Sequence, residues 1–422
     1  MTRARRFKDR LVQGVTWLMS GVSLWVLIAI LVFIGTRGWK SLNWSVLSGD
    51  YDAKSIVAAY ETVAEPGRFE RPSHLEADAI FSARFGFAVE DLVDHNLNHV
   101  HRVTYVADDS PLKHGTITTA GPLQGTEAPF NVGMSVHKLV FRNAAGEAVS
   151  VGRLRQQTPD VWVPILDGEA VELAELYANI PGGGIRGSIL ATLMLIGLSM
   201  LFAAPIGIFA AIYLHSIAKQ NKATAFIRSS IELLAGVPSI IFSMMGITLL
   251  YPIVKAFGIS GQSVLLGSLT MAVVLLPILI RQAEEALMAV PMDYTMASLA
   301  LGATKTETLF RVVLPGARNG ILSAFLLAIS RVIGESAALI FTMGTAINDA
   351  PEVTSGATSL AVHIWVLMGG ENPNFELAST ISIVILIIVL ALNLLVKIIA
   401  AVSKRTEKAN AKAHAKAGAR GK

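Results

Sequence analysis

Apolar residues fall in runs about as long as a bilayer is thick, and polar residues gather between them. Six runs stand out: Val15 to Ile34, Ile189 to Leu214, Leu233 to Val254, Val264 to Ile280, Ile321 to Thr345 and Leu377 to Ile399. A helix rises about 1.5 Å per residue and a hydrocarbon core is about 30 Å thick, so each run is predicted to be a transmembrane helix. Pro205, Pro238, Pro252 and Pro277 lie in or near these runs, which bilayer helices tolerate when neighbours resatisfy the backbone. The stretch from Arg37 to Arg186 has another texture. Alternation in His101 to Val106 and Val136 to Phe141, with a turn cluster at Asn143-Ala144-Ala145-Gly146, predicts strands, while Leu75 to Asn98 reads as helical. The chain is therefore expected to be an all-α membrane protein with six transmembrane helices and an α+β domain inserted after the first. The last residues, rich in Ala, Lys and Gly, predict a solvated tail without packed structure.

Composition agrees with this reading. The 422 residues are 53% hydrophobic and only 16% charged, with a mean hydropathy of +0.55, too apolar for a soluble enzyme of this size. There is no cysteine, hence no disulfide framework and no thiolate metal site. The net charge of +4 has a topological explanation. Arg3, Arg5, Arg6, Lys8 and Arg10, then Lys219, Lys222 and Arg228, then Arg281, Lys305, Arg311 and Arg318, and finally the tail all fall on one side of a six-span arrangement, whereas 258 to 262 and 346 to 376 carry no Lys or Arg. By the positive-inside rule both termini are expected in the cytoplasm, with 37–186 on the opposite side, and no nucleic-acid partner is needed to explain the basic residues. Arg37-Gly38-Trp39-Lys40 is no small-residue cleavage site, so 1–36 is expected to be an uncleaved anchor. A core of five membrane helices is expected over 187–402 and the tail over 403–422.

Several motifs dissolve on inspection. Gly182-Gly183-Gly184-Ile185-Arg186-Gly187 matches a dinucleotide-binding spacing but precedes a membrane span, and Gly302-Ala303-Thr304-Lys305-Thr306 lacks the glycines of a phosphate-binding loop, so no ATP site is expected in this chain. His95, His99 and His101 are spaced as metal ligands might be, yet no third helical ligand supports them, and a surface role is favoured over a metal site. No nucleophile with an obvious base is present, so no catalytic residue is assigned. Ser229 and Glu232 read as a capping box opening the third span.

Two places carry more information. In 281–319, Pro291 can start a helix through Asp293, Ala297 and Leu301 that Gly302 stops; Thr304 and Glu307 form a capping box for a second, which Leu314-Pro315 is expected to end. Two amphipathic helices joined at a glycine elbow suit docking to a cytoplasmic partner, with a helix lying on lipid as the alternative. Arg331 is expected near the bilayer midplane, with Glu335 following at i+4 on the same face. The pair reads either as a structural ion pair or as an anion path in which the guanidinium fork meets oxyanion oxygens.

These residues resemble the membrane permease of an ATP-binding-cassette (ABC) importer. Met296-Ala297-Ser298, Gly302 and Val312-Val313-Leu314-Pro315 are similar to that family's signature, with Met296 standing where the family has Glu. Glu232 to Ser239, Leu276-Pro277 with Arg281 and Glu284-Glu285-Ala286-Leu287, Ala297 to Thr304, and Arg331-Val332-Ile333-Gly334-Glu335 look like the phosphate-specific, PstA-type branch. The resemblance implies a bacterial inner-membrane subunit importing inorganic phosphate by alternating access. It implies a second permease, two ATPase subunits that use ATP and magnesium, and a periplasmic phosphate-binding protein. It also implies substrate contact at Arg331 and Glu335, and ATPase coupling through Arg281, Glu284, Glu285, Ala297, Gly302, Ala303, Leu314 and Pro315. Sulfate, molybdate or phosphonate as substrate, or a receptor with an external sensing domain, remain alternatives.

Overall fold

The computed structural model describes residues 3–60, 69–93, 99–120, 123–370 and 373–420. It divides into two compact units, one of 49–184 and one made of Met1–Ser48 and Ile185–Lys422. In chain order, α1 (Arg3–Gly38) and the short α2 (Trp44–Ser48) open the helical unit. The inserted unit follows as β1 (Lys54–Ala59), β2 (Ile80–Ser82), β3 (Phe87–Val93), β4 (His99–Val106), β5 (Thr116–Ile117), β6 (Ser135–Arg142), β7 (Ala148–Val151), α3 (Pro159–Glu169) and β8 (Glu172–Ile180). The chain then returns to helices: α4 (Arg186–Ile212), α5 (Lys222–Ala235), α6 (Ser239–Met245), α7 (Tyr251–Ala256), α8 (Val264–Met288), α9 (Met292–Ala300), α10 (Lys305–Thr308), α11 (Leu314–Gly334), α12 (Leu360–Gly369) and α13 (Phe375–Arg420).

The inserted unit is one eight-stranded antiparallel sheet in the order β2-β3-β4-β6-β8-β1-β5, with β7 on β6. One face carries the core. Phe85, Phe87, Phe130, Phe141 and Trp162 are fully enclosed there with Leu139, Leu166 and Leu176. Phe130 meets Phe87 edge-on at 5.8 Å, and the Trp162 indole stacks on Phe87 at 6.1 Å, an aromatic cluster that both buries area and restricts geometry. Trp162 also donates its indole N–H to His101 Nδ1 at 3.3 Å, so the only polar tip in that cluster is satisfied. On the other face β6 departs from strict alternation. A bulge makes His137 the extra residue between Val136, opposite Ala178, and Lys138, opposite Tyr177, which turns its side chain away from the regular pleat.

In the helical unit six helices are long and apolar enough to cross a membrane among the described residues: Leu11–Gly38, Arg186–Ile217, Ser239–Ala256, Val264–Met288, Lys305–Gly334 and Phe375–Leu395. α8 is the most enclosed. Its Met271, Leu275 and Leu279 pack against Ala191, Leu195 and Ala203 of α4 and Ala324, Ala328 and Val332 of α11. Alanines on both neighbours let the backbones approach, which is how apolar helices gain packing energy where lipid is as apolar as they are.

Several expectations are corrected. The third span begins at Ser239, not Leu233, because Gly236-Val237-Pro238 separates it from α5; α5 is capped by Asn221, whose side chain accepts the Thr224 N–H at 2.9 Å, so Ser229 and Glu232 lie inside a helix and cap nothing. Leu314-Pro315 does not end a helix. A π turn over Leu309–Val313 shifts the hydrogen-bond register just ahead of Pro315, so its missing N–H falls at the start of α11 and the rod runs on. The fifth span stops at Gly334 rather than Thr345: Glu335 takes an extended conformation, and the apolar residues beyond it, including Ala338, Leu339 and Met343, are buried in protein without being helical. Residues 80–82 and 87–93 form paired strands joined by a turn, not a helix, because Phe87 and Val89 belong to the core; the end of that expected helix, with His95, lies outside the described residues. The tail continues α13 to Arg420, as its Ala, Lys and Glu content favours. α12, which is too short to span, was not anticipated.

Burial holds the His101 and His137 imidazoles below their ordinary pKa, and for His137 the Arg153 guanidinium adds to the effect. Both rings are neutral in the folded sheet, whereas an unfolded chain protonates them as pH falls through about 6.5. The unfolded state then binds more protons, so the stability of this unit is full above that pH and is lost as pH falls toward the lowered folded-state values. Asp167, whose carboxyl burial raises, opposes the trend only as pH nears the carboxylate range. In the full-length chain, β4 and β6 amides should show less hydrogen-exchange protection at about pH 5.5 than at about pH 7.5 once intrinsic rates are divided out; equal or greater protection in acid contradicts the account.

Candidate functional site

The end of α8 is a charged corner. Arg281 Nε bonds Glu285 Oε1 at 3.1 Å, one turn on, and Gln282 donates to the same carboxylate at 3.1 Å. Glu284, on the buried side of that turn, meets Arg228 of α5 at 2.7 Å. Arg228 also donates to the Leu214 carbonyl at 2.9 Å, so one guanidinium ties α5 to α8 and to the end of the α4 rod. Between α5 and α8 lies a cleft of about 270 Å³ lined by Arg228, Glu232, Arg281, Glu284 and Glu285. The long-range pair Arg228–Glu284 was not anticipated, since nothing in residue spacing links two positions on different helices.

Beyond α8 the elbow is built as its local sequence dictates. Pro291 caps α9, Gly302 turns the chain at φ +89°, and the Thr304–Glu307 capping box is closed in both directions, with Glu307 N–H on the Thr304 hydroxyl at 3.2 Å and Thr304 N–H on the Glu307 carboxylate at 2.9 Å. A hydroxyl bond of 2.9 Å between Ser298 and Thr308 ties the two arms. Ala303 is half-buried under the elbow, Ala297 is exposed, and Leu314 and Pro315 sit where the π turn joins α11. α9 has no buried residue, and Met292, Tyr294, Met296 and Leu301 point outward, Leu301 with 90% of its surface exposed. Met292 and Met296 fall on one side of α9, lining a cleft with Leu299 and Val313, while Tyr294 and the capping Leu301 fall on the other, an exposed apolar pair that a partner would cover.

Arg331 lies in the last turn of α11, with its side chain exposed in the isolated chain. Because the helix ends at Gly334, Glu335 does not share its face. The Glu335 carboxylate instead accepts the Ala338 N–H at 3.3 Å and starts the irregular segment, so the ion pair expected between the two is not formed. Among the described residues no carboxylate lies within ion-pairing distance of Arg331. The segment after it is held by backbone bonds to the start of α8: Ser263 N–H on Thr342 O at 3.1 Å, Val264 N–H on Ser355 O at 3.0 Å and Leu265 N–H on Val353 O at 2.9 Å. Gln262 adds bonds to Ile340 O at 3.2 Å and Phe341 O at 3.3 Å. Non-helical backbone is tolerated beside membrane helices only when it is buried in protein or lines a cavity, and Ala338, Leu339, Thr342 and Met343 of this segment meet the first condition.

Comparison with known proteins places this architecture. Residues 203–408 match the family described as "Binding-protein-dependent transport system inner membrane component". Over these residues the chain belongs to the ABC-transporter permease family. Among its relatives, a protein of Bacillus subtilis (strain 168) named "Probable ABC transporter permease protein YqgI" is 35% identical over 197 residues, covering 44% of this chain and 66% of the relative. "Phosphate transport system permease protein PstA 1" of Mycobacterium tuberculosis (strain ATCC 25618 / H37Rv) is 34% identical over 164 residues, covering 38% of this chain and 51% of the relative. The chain thus spans between about half and two thirds of the length of these curated relatives. The permease is also similar to a solved structure titled "Inward facing conformations of the MetNI methionine ABC transporter", at 20% identity and a TM-score of 0.41 over 51% of this chain and 93% of that one. Among the described residues of the permease, no group of three or more His, Asp or Glu is arranged to hold a metal ion.

The charged corner generates a test. Replacing Glu284 by Met leaves Arg228 facing an apolar wall, and the loss should be about 1–3 kcal/mol, less than for a fully buried pair because the Arg228 side chain is 30% exposed. The Arg228→Met, Glu284→Met double variant should recover most of that loss in thermal unfolding of the detergent-purified permease. Additive losses in the double variant would show that the two side chains are not coupled.

Proposed function

We propose that this permease is the membrane subunit of an ATP-driven importer of inorganic phosphate in the bacterial inner membrane. The observation that carries the reading is Arg331, a guanidinium with no carboxylate partner among the described residues, placed where α11 breaks into a buried irregular segment. A guanidinium in that position offers parallel N–H donors to a tetrahedral oxyanion at a point where an unpaired charge is otherwise costly. Relatives named as phosphate permeases support the choice of anion. Glu335, one residue past the helix end, repels anions that approach from its side and so confines them to the guanidinium.

In this reading both termini are cytoplasmic and residues 37–186 are periplasmic, following the distribution of Lys and Arg. The exposed face of α9 seats in a groove of a cytoplasmic ATPase subunit, with Leu301 as its apolar anchor. Two such ATPases bind ATP and magnesium, a second permease completes the pathway, and a periplasmic phosphate-binding protein delivers the anion. ATPase closure moves the elbow, and the permease pair exposes Arg331 alternately to either side. The permease itself carries out no bond chemistry.

Radiolabelled phosphate uptake, in cells lacking their own permease and supplied with this chain and its partners, tests the reading. Arg331→Ala should lower uptake about tenfold or more, the loss expected for removing a charge-assisted contact, and Arg331→Lys should fall in between because it keeps the charge and loses the fork. Native cells that assemble the complex yet take up sulfate or molybdate and no phosphate would reassign the substrate. For the elbow, Leu301→Asp should abolish co-purification of the ATPase while membrane levels of the permease stay unchanged; retained co-purification would move the docking surface elsewhere.

A further inference from the structure

The sheet unit holds a cleft of about 640 Å³ that the transport reading leaves unused. Its floor is the sheet face opposite the aromatic core, where three neighbouring strands align polar side chains in one rung. Arg102 of β4 is opposite Ser135 of β6, and Ser135 is opposite Asn179 of β8. The Asn179 amide is itself oriented by the Ser55 hydroxyl at 2.7 Å.

The wall of the cleft is built with equal care. Gly152 sits against the β6 bulge at φ +118°, and a Cβ there would lie 2.9 Å from the His137 carbonyl oxygen, so only glycine lets the chain pass this close. The next residue, Arg153, is thereby delivered to the cleft and fixed there: Nη1 donates to His99 O at 2.8 Å and Nη2 to His137 Nδ1 at 3.1 Å. Accepting that bond leaves the neutral His137 ring with its proton on Nε2. That nitrogen is enclosed and makes no hydrogen bond of normal geometry, although the Asn179 amide is beside it. None of the residues lining the cleft is acidic, and among the described residues neither Arg102 nor Arg153 is ion-paired.

We propose that this cleft binds a phosphoryl-class oxyanion, gripped by Arg102 and Arg153, with Ser135 and Asn179 as hydrogen-bond partners and the enclosed His137 ring holding Arg153 in place. Two guanidiniums in one concave site attract an anion, since neither is within ion-pairing distance of a carboxylate among the described residues, although Glu90 of β3 is opposite Arg102 in register, and hydroxyl and amide donors suit its several oxygens. The rung, the bulge and the glycine place these groups on rigid strands, which distinguishes the cleft from a solvated basic surface. That an anion binds follows from the cleft alone; the choice of phosphate over other oxyanions rests on the transport reading.

Hydrogen exchange of the full-length chain in detergent tests this, with inorganic phosphate titrated against sodium chloride at matched ionic strength. Phosphate should slow exchange across β4, the start of β6 and residues 152–155. Arg102→Gln, at an exposed position without a partner, should weaken that effect about tenfold or more, with Ser135→Ala as a second variant of smaller effect. Glycerol 3-phosphate protecting the same strands where inorganic phosphate does not would support the cleft and make its ligand a phosphate monoester. No protection by either, or protection undiminished in both Arg102→Gln and Ser135→Ala, overturns the proposal. Arg331→Ala should leave the cleft's response intact, so a chain that imports no phosphate yet protects these strands separates failure of the transport reading from failure of this one.

Discussion

A helix that gives way to irregular chain must hand the backbone polar groups beyond its end to something other than lipid, and much of the helical unit is arranged around that requirement. α11 ends at Gly334, and the next stretch survives because the start of α8 donates its free N–H groups to carbonyls that a helix would have satisfied internally. This explains why α8 is the most enclosed of the spans. It must be flanked by α4 and α11 along its length and covered by an irregular segment at its beginning. It also explains why Arg331 and Glu335, four residues apart, have such different surroundings: one closes a helix and the other opens a turn.

The inserted unit solves a different problem with similar economy. A single sheet has two faces, and only one is covered by α3 and the aromatic cluster around Trp162. The other face has to be compatible with water, and it is polar in a patterned way, with the strand register setting Arg102, Ser135 and Asn179 in line. One bulged residue and one glycine with positive φ then convert a flat polar face into a concave one.

Much of the membrane architecture was legible from residue order, because spans depend on local composition. The elbow was legible for the same reason: Pro291, Gly302 and the Thr304–Glu307 box act within a few residues of themselves. Misreadings arose where a residue's meaning depended on a distant partner. Leu339 and Met343 look like membrane residues and are buried by α8 instead; Phe87 looks helical in its local setting and is a strand residue because Trp162 and Phe130 enclose it. Arg228 and Glu284 gave no signal at all, and the polar cleft of the sheet is assembled from five separate stretches of chain. Pro315 was misread because the π turn ahead of it, which removes its usual cost, has no simple sequence signature.

That π turn has a mechanical consequence. With it, α10 and α11 form one uninterrupted rod from Lys305 to Gly334, so the elbow and Arg331 are the two ends of a lever roughly 40 Å long at 1.5 Å per residue. Along a continuous rod of that length, a tilt of about 5° at one end sweeps the other through roughly 3.5 Å, comparable to the length of one hydrogen bond. A helix broken at Leu314-Pro315 would have absorbed such a tilt in its hinge.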